Sequence, residues 1–218
     1  MPPDPLVLAF DTSDAYCAVA LIQAQSVLVA RQEEMTRGQA ERLFPLIEEL
    51  LGDSGCAWRD LNAIGVGVGP GNFTGIRLSV SSARGLALSL GIRAVGVSTF
   101  QTLREGAPCP TLASVDARRN QVYLQYSDSK GSRAPTVATL DDLSEGDFAE
   151  TTSCVGAHSR KIAALAGIRA IEPRFPIAVA IARLALQRLG EECARPAPLY
   201  LRSANAAQSR DRSPVMLS

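Results

Sequence analysis

Asp11 and Asp116 are the carboxylates best placed to do chemistry. Each closes a short apolar run, Leu6 to Phe10 and Thr111 to Val115. Each leads into a polar turn, Asp11-Thr12-Ser13-Asp14 and Asp116-Ala117-Arg118-Arg119-Asn120. In a phosphotransferase, two such aspartates would organise Mg²⁺ and a water or hydroxyl. The competing reading is that Asp11 bonds the N–H groups of its own turn, as Asp commonly does. The turns lack the glycines that let backbone wrap a phosphate, which favours the second reading. A vestigial nucleotide site at Asp11, Thr12, Ser13 and Asp116 is the runner-up.

Val66 to Arg77 is the other stretch with chemical potential. Five glycines and Pro70 fall between Gly65 and Gly75, between an apolar β-type run and a helix-competent segment. Such a loop could cradle an anion at a helix N-terminus, or let a helix pack closely on its neighbour. The P-loop pattern needs Lys and Ser or Thr after its second glycine, but Ile76 and Arg77 follow Gly75. The dinucleotide fingerprint opens at Gly69-Pro70-Gly71, yet Thr74 stands where its last glycine belongs. Both spacings fail, so the close-packing turn is favoured.

Other chemistries lack their residues. His158 is the one histidine of the chain, at an expected helix start, where a surface or capping role is expected. Metal sites need clustered His, Cys or carboxylate ligands, and no metal or cofactor is expected. A catalytic triad would depend on His158, and no Gly-x-Ser-x-Gly elbow occurs. Cys17, Cys56, Cys109, Cys154 and Cys193 lie far apart, and small buried thiols are expected. With 46% apolar and 20% charged residues in 218, a substantial core is expected. Zero net charge argues against a chain that grips nucleic acid by itself. No signal peptide or membrane span is expected, which points to the cytoplasm.

These residues need elements to position them. Strands are expected at Leu6 to Phe10, Tyr16 to Ile22 and Val27 to Gln32, forming an antiparallel meander. A helix from Ala40 carries Leu43, Phe44, Ile47, Leu50 and Leu51 on one stripe, with Leu46 at its edge and Pro45 inside. Ile64 to Val68 is a strand, Thr74 to Leu90 a helix stopped by Gly91, and Ala94 to Val97 a strand. The second half repeats this order loosely. Its expected strands are Thr111 to Val115, Gln121 to Tyr126, Arg133 to Leu140, Cys154 to Gly156 and Ile168 to Ile171. His158 to Leu165 is a helix, and Phe175 to Leu189 is a largely buried one between lobes. The expected units are residues 1–103, 104–202 and a polar, mobile tail, 203–218. Two lobes that open alike have the α/β layout of the actin-like ATPase and sugar kinase superfamily, with duplicated βββαβα lobes and a ribonuclease H-like core.

The helices suggest a binding role. On the second, Ile76, Val80, Ala83, Ala87 and Leu90 form one stripe, and Gly75, Ser79 and Ser82 an adjacent small-residue face ending at Leu86. Small residues let another helix approach to about 8–10 Å between axes. Leu43, Phe44 and Ile47 of the first helix, with Gly75, Ile76, Ser79, Val80, Ser82, Ala83 and Leu86, are the expected partner surface. The competing reading is that both faces are core.

Several motifs then carry a resemblance. Ala9-Phe10-Asp11-Thr12-Ser13, Glu41-Arg42-Leu43-Phe44-Pro45-Leu46-Ile47, Gly69 to Arg77, Asp116-Ala117-Arg118 with Val122-Tyr123, and Leu199-Tyr200-Leu201-Arg202 occur in that order. In this the chain resembles the TsaB (YeaZ-like) family across nearly its whole length. The resemblance implies a non-catalytic subunit of tRNA threonylcarbamoyladenosine synthesis that binds its catalytic paralogue TsaD, with the ATPase TsaE. It also implies contact with tRNA through the complex, and leaves homodimer and monomer both open for the chain when alone. Asn72, Gln39 and Gln121 depart from the family's usual Ser, His and Glu. A stand-alone phosphotransferase or relict glycopeptidase-like enzyme of the same fold is the alternative.

Overall fold

The computed structural model describes residues 4–144, 148 and 150–201; the expected tail, 203–218, lies outside them. In chain order these residues form β1 (Leu6–Asp11), β2 (Tyr16–Gln23), β3 (Ser26–Glu34), α1 (Gln39–Ser54), β4 (Ala63–Gly67), α2 (Phe73–Leu90), β5 (Arg93–Val97) and α3 (Thr99–Arg104). Then come β6 (Thr111–Arg118), β7 (Gln121–Asp128), β8 (Gly131–Ser132), β9 (Thr136–Thr139), β10 (Ser153–Gly156), α4 (Ser159–Ala166), β11 (Arg169–Ile171) and α5 (Ile177–Gln187).

Every residue of β1 is buried, so its sheet must be covered on both faces. β1 is the middle strand of the order β3-β2-β1-β4-β5. β1, β2 and β3 are the expected antiparallel meander, and β4 and β5 run parallel to β1. α1 and α2 cover one face. Leu43, Leu46, Ile47 and Leu50 of α1 are fully buried with Ile76, Val80 and Ala83 of α2 over Leu8, Phe10 and Val66. Each leucine, isoleucine, valine or phenylalanine among them contributes about 1.5–3 kcal/mol over its exposed state. α5 covers the other face, where Ile181, Ala182 and Ala185 meet Val7, Ala9, Ile22 and Val95. Being small, its alanines let α5 sit close to the strands.

The second sheet has the order β11-β10-β6-β7-β8, with β9 also on β7. α4 covers one face, setting Ile162 among Leu112, Val122, Leu124 and Cys154. α3 covers the other, setting Phe100 against Ala113, Tyr123 and Val155. This is the two-lobed α/β architecture of the actin-like fold. Among the described residues no helix is long and apolar enough to cross a membrane.

Four local expectations are corrected. Of Arg133 to Leu140 only β9 (Thr136–Thr139) forms a strand, pairing with β7 and beginning after Pro135, which has no N–H to donate; the two-residue β8 precedes that range. The last helix starts after Pro176, which fixes its first turn, and ends at Gln187. α3 was not expected, although Ser98 and Gln101 form a readable capping box: Ser98 Oγ accepts from Gln101 N at 3.3 Å and Ser98 N donates to Gln101 Oε1 at 3.0 Å. On α1, Leu46 belongs to the buried stripe and Phe44 does not; Phe44 is 39% exposed.

Candidate functional site

The glycine-rich segment packs the start of α2 onto the β1–β2 turn. Asn72 caps the helix, its Oδ1 accepting from Thr74 N at 3.0 Å and Gly75 N at 3.3 Å. Its own N–H donates to the Ser13 carbonyl at 2.6 Å. Thr12 N donates to Ser79 Oγ at 2.9 Å, and Thr12 Oγ1 donates to the Gly75 carbonyl at 2.8 Å. A Cβ on Gly75 would collide with the Thr12 carbonyl, and one on Gly67 with the Asp11 carboxylate. Two of the helix N–H groups an anion would seek are thus already satisfied by the chain itself, which fits the close-packing reading.

The two aspartates have different surroundings. Asp11 is buried. Its Oδ2 accepts from Ser13 Oγ and Tyr16 Oη, both at 2.7 Å, and its Oδ1 from Ser13 N at 3.3 Å. Burial pushes its pKa up, against the opposing pull of these donors. Burial and the adjacent Asp11 push the Tyr16 phenol up as well. Asp116 is exposed, accepts from Arg118 N at 3.1 Å and lies 3.6 Å from His158 Nε2. His158 begins α4 in the left-handed region at φ 57 and makes no side-chain cap bond, so it faces Asp116 instead of capping.

Between the lobes lies a cleft of about 940 Å³. Ser13, Asp14 and Tyr16 line it from one hairpin, and Asp116, Ala117 and Arg118 from the other. Of the four expected nucleotide-site residues, Ser13 and Asp116 line it, whereas Asp11 and Thr12 are turned into the hairpin and α2. Among the described residues no three His, Cys, Asp or Glu side chains come together in a group fit for a metal ion. The cysteines are not uniformly buried: Cys109 is exposed and Cys56 and Cys193 are half-buried. Burial pushes the Cys17 and Cys154 thiols up to about 11.

The expected partner surface also divides. Leu43, Ile47, Gly75, Ile76, Ser79, Val80 and Ala83 are buried in the chain's own core. The small face of Gly75 and Ser79 receives the β1–β2 turn, not a second helix. Phe44 is exposed, and Ser82 and Leu86 are half-buried. The outer face of α2 is made of Arg77, Ser81, Arg84, Gly85 and Leu88, with Leu78 half-buried beside them. Leu88 is 86% exposed. Its signal was readable: it lies off the buried stripe, four residues beyond Arg84 and seven beyond Ser81.

Comparison with known proteins gives concordant matches. The family model described as "TsaD: tRNA N6-adenosine threonylcarbamoyltransferase" matches residues 29–202. The tRNA threonylcarbamoyladenosine biosynthesis protein TsaB of Escherichia coli is 38% identical over 122 residues, 54% of this chain and 52% of that protein. The chain thus spans about half the length of that relative. An uncharacterized Mycobacterium tuberculosis protein, Rv3421c, is 31% identical over 92% of this chain and 93% of its own. The solved structure of YeaZ from Pseudomonas aeruginosa superposes with a TM-score of 0.73 at 27% identity, covering 90% of this chain and 100% of that one. The chain belongs to the TsaD-type threonylcarbamoyltransferase family that the model describes, and within it to the TsaB (YeaZ-like) members.

Proposed function

We propose that this chain serves the synthesis of threonylcarbamoyladenosine in tRNA as a non-catalytic cytoplasmic subunit. It docks the catalytic paralogue TsaD through the outer face of α2 and the exposed edge of α1, and TsaE joins the pair. tRNA is engaged through the complex. Without TsaD, the same face pairs two copies of this chain.

The observation that carries this reading is Leu88. A leucine 86% exposed, beside the small residues Ser81 and Gly85, is an apolar anchor with a flat approach for another helix. Phe44 extends the apolar surface from α1. The names of the relatives supply the pathway.

Leu88→Arg tests it. Loss of a central anchor and burial of a charge cost about 3 kcal/mol or more, which weakens binding about a hundredfold. Monomer stability should stay within about 0.5 kcal/mol, since the residue is exposed. Co-elution with TsaD in size-exclusion chromatography and thermal melts read the two quantities. Undiminished co-elution would place the interface elsewhere.

A second reading, a residual nucleotide site, rests on the cleft between the hairpins. Turnover of ATP-Mg²⁺ by the purified chain, abolished by Asp116→Asn with the fold intact, would favour it over the scaffold role.

A further inference from the structure

Residues 196–201 run from one lobe to the other. Pro196 is buried beside Gly96 of β5. Leu199 donates its N–H to the Val68 carbonyl at 2.8 Å, and its side chain packs onto the core under α1 and α2. Two residues on, Leu201 packs onto the second-lobe cluster of Phe100, Ala113, Tyr123 and Val155. Tyr200, between the two leucines, packs against α2. Its ring centroid lies 4.7 Å from that of Phe73. The Arg77 guanidinium sits 3.7 Å over Phe73 and 5.9 Å from the Tyr200 ring, and Arg77 Nε donates to Tyr200 Oη at 2.9 Å. Leu199, Tyr200, Leu201, Phe73 and Arg77 all line the cleft.

We propose that residues 196–201 are a strap that fixes the angle between the lobes, with Phe73, Arg77 and Tyr200 as its latch. The chain crosses between the lobes twice before the strap, once from β5 into α3 and once from β11 into α5. α3 and α5 also touch across the lobes, where Arg183 Nε donates to Glu105 Oε1 at 3.3 Å. The strap is a further tie, with one half-buried apolar side chain packed against each lobe's core, and it restrains rotation of one lobe on the other. The latch is built to open. Tyr200 is 41% exposed and Arg77 is exposed, so release costs one stack and one hydrogen bond but unseats neither fully buried core. Arg77 projects from α2, which ties the cleft to that helix.

Full-length wild type, Tyr200→Ala, Tyr200→Phe and Arg77→Lys are compared by hydrogen exchange and small-angle X-ray scattering. Tyr200→Ala removes the stack. Tyr200→Phe keeps the ring and drops the hydroxyl. Arg77→Lys keeps the charge and drops the planar group. In Tyr200→Ala the amides of residues 199–201 should exchange about tenfold faster, equivalent to about 1.4 kcal/mol. The amides of residues 69–73 and 116–121, on the two cleft walls, should follow, and the radius of gyration should rise. Tyr200→Phe and Arg77→Lys should fall between wild type and Tyr200→Ala. Faster strap exchange with unchanged cleft walls and scattering would make the strap mere surface cover and overturn the proposal. So would wild-type exchange in all three variants. If Tyr200→Ala fails to fold, the same comparison is made on the two milder variants.

Discussion

Asp11 holds its hairpin from a buried position, and the sign of its pKa shift makes that measurable. A raised folded pKa means the folded state keeps the proton while the unfolded chain, at about 3.9, releases it. The contribution of Asp11 to stability is therefore full below about pH 4 and is lost as pH rises through the folded value. Asp11→Asn removes this dependence. The difference in melting temperature, wild type minus Asp11→Asn, should be most favourable to wild type near pH 4 and shrink toward neutrality. Subtracting the variant is needed because Glu33 and Glu49 beside Arg42 are shifted down and slope the other way. A difference that grows toward neutral pH would mean that hydrogen bonding to the carboxylate outweighs burial. The turn-binding role of Asp11 was legible in its residue type and position. Its burial was not, because the space for the carboxylate depends on Gly67, in a strand far along the chain.

Helix α2 carries two glycines with opposite expected behaviour. Gly75 faces the carbonyl of Thr12, whose N–H and hydroxyl are hydrogen-bonded to α2, whereas nothing lies within 4 Å of a Cβ added at Gly85. Gly75→Ala should cost about 1–3 kcal/mol through overpacking. Gly85→Ala should gain about 0.5–1 kcal/mol, since alanine loses less backbone freedom in a helix. Urea unfolding midpoints of the two variants decide this, and a Gly75→Ala protein as stable as wild type would show that the turn yields. The periodicity that revealed α1 and α2 also revealed which stripe is apolar. It could not say what the small residues of α2 face, since a helix neighbour and a hairpin neighbour select the same residue types. Gly75 and Ser79 therefore suit a partner surface and a hairpin contact alike, and only three-dimensional contact separates them. α3 was missed for its length: a six-residue helix has too few turns to show a period, and its one signal was the Ser98–Gln101 cap.

As a whole, the molecule matches its expected layout because both lobes are written in the same grammar of a meander followed by parallel strands and helices. The strands of that grammar that failed lie in the second lobe, where β8 and β9 are short and Pro135 stands just before β9. At this scale the proposed role predicts that cells depleted of the protein lose threonylcarbamoyladenosine from tRNA. Nucleoside mass spectrometry of digested tRNA reads it, and full depletion with unchanged modification would refute the role. The placement of α5 has another outcome. One face of the first sheet, with Val7, Ala9, Ile22, Val95 and Val97, is closed by a helix that begins only at Ile177. Synthesis adds about 5–20 residues per second, so the ribosome emits that sheet several seconds before its cover exists. During that interval the first lobe offers an apolar plate to whatever is near, and a chaperone that shields nascent chains would find its binding surface there. A fragment ending at residue 103 should accordingly be insoluble, and become soluble when the missing helix is fused back onto it.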